Sequence, residues 1–329
     1  MPLISKLEQL PNEFFYDVFD YLNGYQIFNA FYYLNRRFNF LLENYSYSFK
    51  STTFYEFIYF RNEILPHIKL QQLQVLKVAD DEDDRVIDQL NRLLSRKNIK
   101  KLTNLQRLHI IPSYTFNEQN LLSTIQKISQ LESLTHLTIG TKSYDSLDKI
   151  RICELALTLT KLKYLSLTFG DRTKFSLYDH LSPQIYLNEK RSSVECLMIN
   201  VVISIHDLKT LFINMPKLKY LRINLKKSNY DQKWTNELQQ QPFVPQLEEI
   251  ELHLNYNIDV NQIISLLTES TARNLKTIII IINYESLYDV DEILIETLFR
   301  STFPLLKTFK MKFTQSTSYR SLLLDYYYK

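Results

Sequence analysis

Side chains able to ionise, attack or ligate are thinly spread in this 329-residue chain. Six histidines occur, His67, His109, His136, His180, His206 and His253. None stands in H-E-x-x-H or beside a cysteine at ligand spacing, so a metal site has little support. Cys153 and Cys196 are too few for a disulfide framework or a cysteine-rich zinc site. Both fall in apolar stretches, where they act as small hydrophobes. No G-x-S-x-G nucleophile turn occurs. Gly24, Gly140 and Gly170 are the only glycines, and no pair of them makes a phosphate-cradling loop. The run Asp80-Asp81-Glu82-Asp83-Asp84 lacks the alternating ligands and turn glycine of a calcium loop. It reads as a solvated loop leading into a helix N-terminus, which favours negative charge. The expectation is therefore no catalytic constellation, no metal and no cofactor. A buried polar cluster with strongly displaced pKa values would reopen an enzymatic reading.

With chemistry set aside, composition bounds the rest. Hydrophobic residues make up 45% of the chain, ample for a buried core, and the length suggests roughly two domains. A net charge of +3 is too mild for a nucleic-acid partner, which demands several phosphates neutralised from one patch. The longest aliphatic run, Ile278 to Ile282, is far too short to span a bilayer and reads as a deeply buried strand. Met1 to Pro11 lacks the charged and apolar pattern of a secretory signal. Two cysteines suit a reducing compartment. The expected location is cytoplasmic or nuclear, without a membrane partner.

The element that recurs is L-x-x-L-x-L, as in Leu162-Lys163-Tyr164-Leu165-Ser166-Leu167. Its copies begin at Leu73, Leu105, Leu134, Leu162, Val194, Leu218, Leu247, Leu275 and Leu306. Successive starts lie 32, 29, 28, 32, 24, 29, 28 and 31 residues apart, the mark of stacked like units. The fourth and sixth positions point to one side of a short strand, giving one half-buried strand per unit. Between strands the period becomes helical, with stripes at Val86, Leu90, Leu93 and Leu94, and at Leu121, Ile125 and Ile128. Others follow at Ile150, Cys153 and Leu157, at Ile205, Leu208 and Phe212, and at Val260, Ile263, Ile264 and Leu267. Asp259, and Asp289 with Glu292, mark helix starts. Strands spaced about 4.8 Å and helices spaced about 8–10 Å cannot stack straight, so a horseshoe is predicted. These residues resemble the leucine-rich repeat family in its longer, helix-containing form. The asparagine expected just beyond the motif is carried only by Asn255 and Asn283, so the repeats are degenerate. Phe169 to Ser192, with Pro183, reads as a protruding loop.

The first fifty residues are different. Phe15, Val18, Phe19 and Leu22 make one helical stripe, and Asn23-Gly24 closes it with a left-handed turn. Further stripes run through Ile27, Ala30, Phe31 and Leu34, and through Phe38, Leu41, Leu42 and Tyr45. Three such short helices bury little alone, which points to a partner. Leu10-Pro11-x-Glu13, the aliphatic positions Val18, Phe19, Leu22 and Ile27, and Leu34-Asn35-Arg36-Arg37-Phe38 together resemble an F-box, across roughly residues 5 to 46. Gly24-Tyr25-Gln26 and Phe38 depart from the family, which leaves adaptor affinity open. The resemblance implies docking on a Skp1-type adaptor of a cullin–RING ubiquitin ligase. Leu10, Pro11, Val18, Phe19, Leu22 and Ile27 are the expected adaptor-facing set, some of them burying within the module itself.

The expected architecture is α/β: an F-box over 1–46, a helical linker or cap over 47–70, and a leucine-rich-repeat solenoid over 71–329. Its parallel sheet lies inside and its helices outside. The chain would be the non-catalytic substrate receptor of a Skp1–cullin–F-box ubiquitin ligase, binding an unknown protein target. The third and fifth motif positions face away from the core, and Arg107, His136, Tyr164, Tyr220, Arg222, Glu249 and Glu251 are the predicted target-binding residues. The alternative is a leucine-rich-repeat scaffold or inhibitor without ligase association, its first helices acting as a cap.

Overall fold

The computed structural model describes residues 6–79, 85–111, 118–141, 152–153, 155–169, 192–226, 244–255, 260–269, 273–284 and 292–315. The acidic run Asp80–Asp84, the helix-start residues Asp259 and Asp289, and most of the expected loop after Phe169 lie outside these. The chain is α/β and divides into two compact units, residues 1–143 and 144–329.

The first unit opens with helices α1 (Asn12–Asp20), α2 (Gly24–Phe31) and α3 (Arg36–Asn44). Pro11 is the residue before the first helical turn, in extended backbone, where its missing N–H costs nothing. Asn35 caps α3 by accepting a 3.0 Å hydrogen bond from the Phe38 N–H. Phe15, Phe19, Ile27, Phe28, Phe38, Leu41 and Leu42 are buried between the helices. Arg37 ties the two ends together, donating to Asn12 Oδ1 at 2.9 Å and to the Leu10 carbonyl while lying 5.4 Å over the Phe15 ring.

Strand β1 (Tyr47–Ser51) follows, where a wholly helical linker is expected from sequence. Tyr47, Phe49 and Ser51 are fully buried while Ser48 and Lys50 are not, a period of two that a run of aromatics obscures. Helical residues return only at α4 (Phe54–Tyr59) and the π-helical turn Phe60–Ile64. The helices are stitched to β1 twice. The Asn23 side chain both donates to the Lys50 carbonyl (3.1 Å) and accepts from the Lys50 N–H (3.2 Å), as a neighbouring strand would. Gly24 meanwhile lies against the Phe49 ring, so close that a Cβ would stand 2.6 Å from it. Gly24 therefore opens α2 rather than closing α1, and no glycine among the described residues has positive φ. Its requirement is space.

Strands β2 (Leu73–Ala79), β3 (Arg107–Ile111) and β4 (His136–Thr141) pair in parallel after β1, in chain order. Helices α5 (Arg85–Leu93) and α6 (Glu118–Ile128) pack beside one another. Asn91 donates to the Asn120 carbonyl at 2.9 Å and Lys127 to Asn91 Oδ1 at 2.9 Å, linking the two helices. Val86, Leu90, Leu93 and Leu94, and Leu121, Ile125 and Ile128, are all buried, as their spacing predicts.

The second unit repeats this pattern. Strands β5 (Tyr164–Phe169), β6 (Cys196–Ile203), β7 (Tyr220–Lys226), β8 (Glu249–Asn255), β9 (Thr277–Tyr284) and β10 (Thr308–Gln315) are parallel and paired in sequence order. Helices α7 (Ile205–Asn214), α8 (Val260–Glu269) and α9 (Glu292–Thr302) stack on their neighbours in turn. Ser204 caps α7 in a reciprocal box with Asp207. Strands β6 to β10 each begin with one device. The Lys163 carbonyl accepts from Glu195 N (2.8 Å) and Cys196 N (2.9 Å), and Glu195, Lys219, Glu248 and Lys276 repeat it. Asn200 and Asn224 add amide bridges across β5, β6 and β7, although neither occupies the place of the expected asparagine. The apolar motif positions, such as Leu165, Leu197, Leu221, Ile250 and Ile278, are wholly buried. Each such side chain contributes roughly 1.5–3 kcal/mol relative to exposure.

Candidate functional site

Two kinds of surface remain once the cores are filled. The first is the outer side of the three-helix module. Phe15 and Phe19 stand at i and i+4 on α1 and turn inward. Phe14 and Tyr21 lie on the opposite side, 44% and 90% exposed. Leu34 and Phe40, at 54% and 59%, extend the exposed apolar set around α3. Tyr33 joins α2 to α3 at φ 61°, a left-handed backbone that costs a non-glycine residue roughly 1–2 kcal/mol. The Asn39 side chain holds it there, accepting from the Tyr33 N–H at 3.1 Å.

The residues expected to face an adaptor divide between these two sides. Pro11 is exposed, and Leu10, Val18 and Leu22 are half-buried. Phe19 and Ile27 are completely buried in the module's own core and present nothing outward. A single stripe through Phe15, Val18, Phe19 and Leu22 merges two faces. The second stripe, Phe14-Val18-Tyr21 at i, i+4, i+7, was readable from the same spacing.

The second surface is the strand face opposite the helices. In the second unit the pairing places Tyr164, Cys196, Tyr220 and Glu249 in one row across β5 to β8. Ser166, Met198, Arg222 and Glu251 form the next. Glu251 is the hub. It accepts from His253 Nε2 at 2.8 Å, pairs with Arg222 Nε at 3.2 Å and accepts from the Tyr220 hydroxyl at 3.4 Å. The His253 hydrogen bond, with help from Arg222, holds the Glu251 carboxyl below the ordinary carboxylate range despite partial burial. Burial, then the Glu251 and Glu249 carboxylates, pushes the Tyr220 phenol up to about 12. Tyr164 donates to Met198 Sδ at 3.2 Å, and burial raises its phenol as well. Sequence reasoning missed His253, although Glu251-x-His253 has the period of two that puts both on one side of β8.

Arg107 and His136, in the first unit, are direct partners across β3 and β4. Arg107 is exposed; His136 is half-buried, with Nδ1 2.8 Å from the Thr135 hydroxyl. A third feature runs along the start of the second unit's strands, where Lys163, Glu195, Lys219, Glu248 and Lys276 alternate in sign. Lys219 reaches Glu195 at 2.6 Å and Lys276 reaches Glu248 at 2.8 Å. Exposed pairs of this kind fix little stability.

Cys196 sits between the two tyrosines, but burial pushes its thiol up to about 11, the reverse of what a nucleophile needs. Among the described residues no group of three or more His, Cys, Asp or Glu is placed to hold a metal ion. Nor is any described helix long and apolar enough to cross a membrane. No protein-family model matches the chain, and no curated protein sequence matches it.

Proposed function

We propose that the chain is the substrate-recognition subunit of a Skp1–cullin–F-box ubiquitin ligase, with an F-box at its start and leucine-rich repeats thereafter. It carries out no bond chemistry. It raises the local concentration of a bound target near a ubiquitin-charged enzyme supplied by the rest of the complex. The observation that carries this reading is the apolar set Phe14, Tyr21, Leu34 and Phe40, left exposed by helices whose inner faces are already filled. The parallel strands with flanking helices in each unit support the repeat assignment, and the Glu251 hub supports a protein target met by hydrogen bonds and aromatic contacts. Capture of a Skp1-type adaptor by the full chain tests it. Phe14→Asp with Phe40→Asp is expected to abolish capture while leaving the fold intact, and undiminished capture would sink the docking surface.

A second reading has its own support. Asn23 and Gly24 bind the module tightly to β1, as a cap on the first strand would be bound. On that reading the chain is a repeat scaffold or inhibitor without ligase association, and no adaptor is captured at all.

A further inference from the structure

The chain contains one Asn-Gly pair: Asn23 precedes Gly24, whereas Ile139 and Phe169 precede the other two glycines. In such a pair the Gly24 nitrogen can attack the Asn23 side-chain carbon, and glycine has no Cβ to shield it. The fold holds both partners away from that reaction. The Asn23 amide is committed to the Lys50 backbone of β1, as donor at 3.1 Å and as acceptor at 3.2 Å. The Asn23 N–H donates to Gln26 Oε1 at 2.9 Å, and the Asn23 backbone is extended at ψ 146°. Gly24 is buried against the Phe49 ring, without room for even a Cβ. Ring closure needs the Gly24 nitrogen to swing into line with the Asn23 Cβ, a turn about ψ that would carry α2 off β1.

We propose that Asn23-Gly24 is a site of spontaneous deamidation, sealed while the three-helix module lies on β1 and open when the module lifts away. Local openings of this kind cost less than global unfolding. In the open state the Gly24 nitrogen bonds to Asn23 Cγ, the Cγ–Nδ2 bond breaks, and the Gly24 N–H proton leaves with that nitrogen as ammonia. Water then opens the succinimide at either carbonyl, giving aspartate or isoaspartate, with no oxidant, reductant or enzyme required. Neither product restores the contact. Aspartate can still accept from the Lys50 N–H, and the α2 N-terminus favours its charge. It has no donor for the Lys50 carbonyl, which would face a carboxylate oxygen instead. Isoaspartate adds a methylene to the main chain beside Gly24, where the Phe49 ring leaves no space. The change therefore runs one way, loosening the module from β1 while its core of Phe15, Phe19 and Phe38 is untouched. It goes beyond the proposed function and holds for either reading of the module.

The test incubates the full chain at neutral pH, folded and in guanidinium chloride at one temperature. Peptide mapping by mass spectrometry reads the amide-to-acid mass gain at Asn23, and chromatography separates the two acid products. Conversion in the folded chain should be at least ten-fold slower than in denaturant, because it follows the population of the open form. Phe49→Leu loosens the seat of Gly24, and Tyr25→Phe removes the hydroxyl that bonds Ser51 Oγ of β1 at 2.6 Å. Each should speed conversion at least three-fold in the folded chain and leave the denatured rate unchanged, with circular dichroism verifying the fold. Converted chain, once refolded, should melt below the parent, the isoaspartate form lowest and Asn23→Asp between them. No conversion in denaturant overturns the site, and equal rates in folded and denatured chain overturn the seal. An unchanged folded rate in both variants overturns the part played by β1. Converted chain that melts with the parent overturns the one-way loosening.

Discussion

Gly24→Ala tests whether the helical module and the first strand are one packed body. The added methyl would meet three atoms of the Phe49 ring at 2.6, 2.7 and 2.8 Å, well inside van der Waals contact. Phe49 cannot step aside easily, because Phe60, Tyr25 and Tyr47 surround it with ring centroids at 4.5, 5.4 and 5.4 Å. Overpacking of this kind costs about 1–3 kcal/mol. Alanine's helix propensity offsets up to about 1 kcal/mol of that, and less in a first turn. The net expectation is a loss of about 1–2 kcal/mol. At about 2–4 °C per kcal/mol for a chain of this size, melting followed by near-ultraviolet circular dichroism should fall by about 2–8 °C. In a Phe49→Leu background, where the facing side chain is smaller and can move, the same substitution should cost less than half as much. A Gly24→Ala chain as stable as the parent, or an equal cost in both backgrounds, refutes the contact. A glycine needed for a left-handed turn would give that second outcome, since its cost would not depend on residue 49.

Phe19→Asp, which places a charge in a completely buried position, should unfold the module outright, with a loss of about 3–5 kcal/mol; Phe14→Asp, at an exposed position, should leave melting within about 0.5 kcal/mol of the parent. Glu251→Gln should cost about 1 kcal/mol at pH 7. Because the folded pKa of Glu251 is depressed, its contribution is present above the unfolded pKa and lost as pH falls through the folded value, so parent and variant should converge in acid. Both cysteines should resist iodoacetamide at pH 8 in the folded chain and react on denaturation, since Cys153 is buried and Cys196 is raised to about 11; rapid labelling of Cys196 in the folded state would contradict its placement.

The repeats were legible because their signal is redundant. Leu76, Leu108 and Leu137, like Leu165, Leu197 and Leu221, recur at one beat, and a single degenerate copy does not disturb the count. Strand β1 was not legible for the opposite reason. It has no motif, only Tyr47, Phe49 and Ser51 alternating within five residues, inside a run where almost every second residue is aromatic. The role of Gly24 was hidden too, because its cause, Phe49, lies 25 residues downstream, whereas a turn is a local explanation. Phe19 and Phe14 show the limit in its simplest form. Periodicity places them on different sides of one helix without saying which side the rest of the chain will cover.

The same limit decides where function can be written in such a chain. From β2 to β9 the fourth and sixth motif positions are committed to the core, and substitution there is paid in stability. Apart from buried Ser166, the third and fifth positions carry no such duty: Arg107 and Arg222 are exposed, and His136, Tyr220 and Glu251 are half-buried on the open face. Neighbouring strands within each unit pair in register, so a position on the open face of one strand lines up in a row with its neighbours. A row is cationic at Lys50, Lys77 and His109 in the first unit, and a row is acid-centred at Glu251 in the second, with the buried leucines behind both alike. Two chains with the same beat can differ wholly in what they bind. If the strand faces bind a partner, as proposed, charge along these rows should decide which one, and face substitutions should alter that binding at little cost to folding.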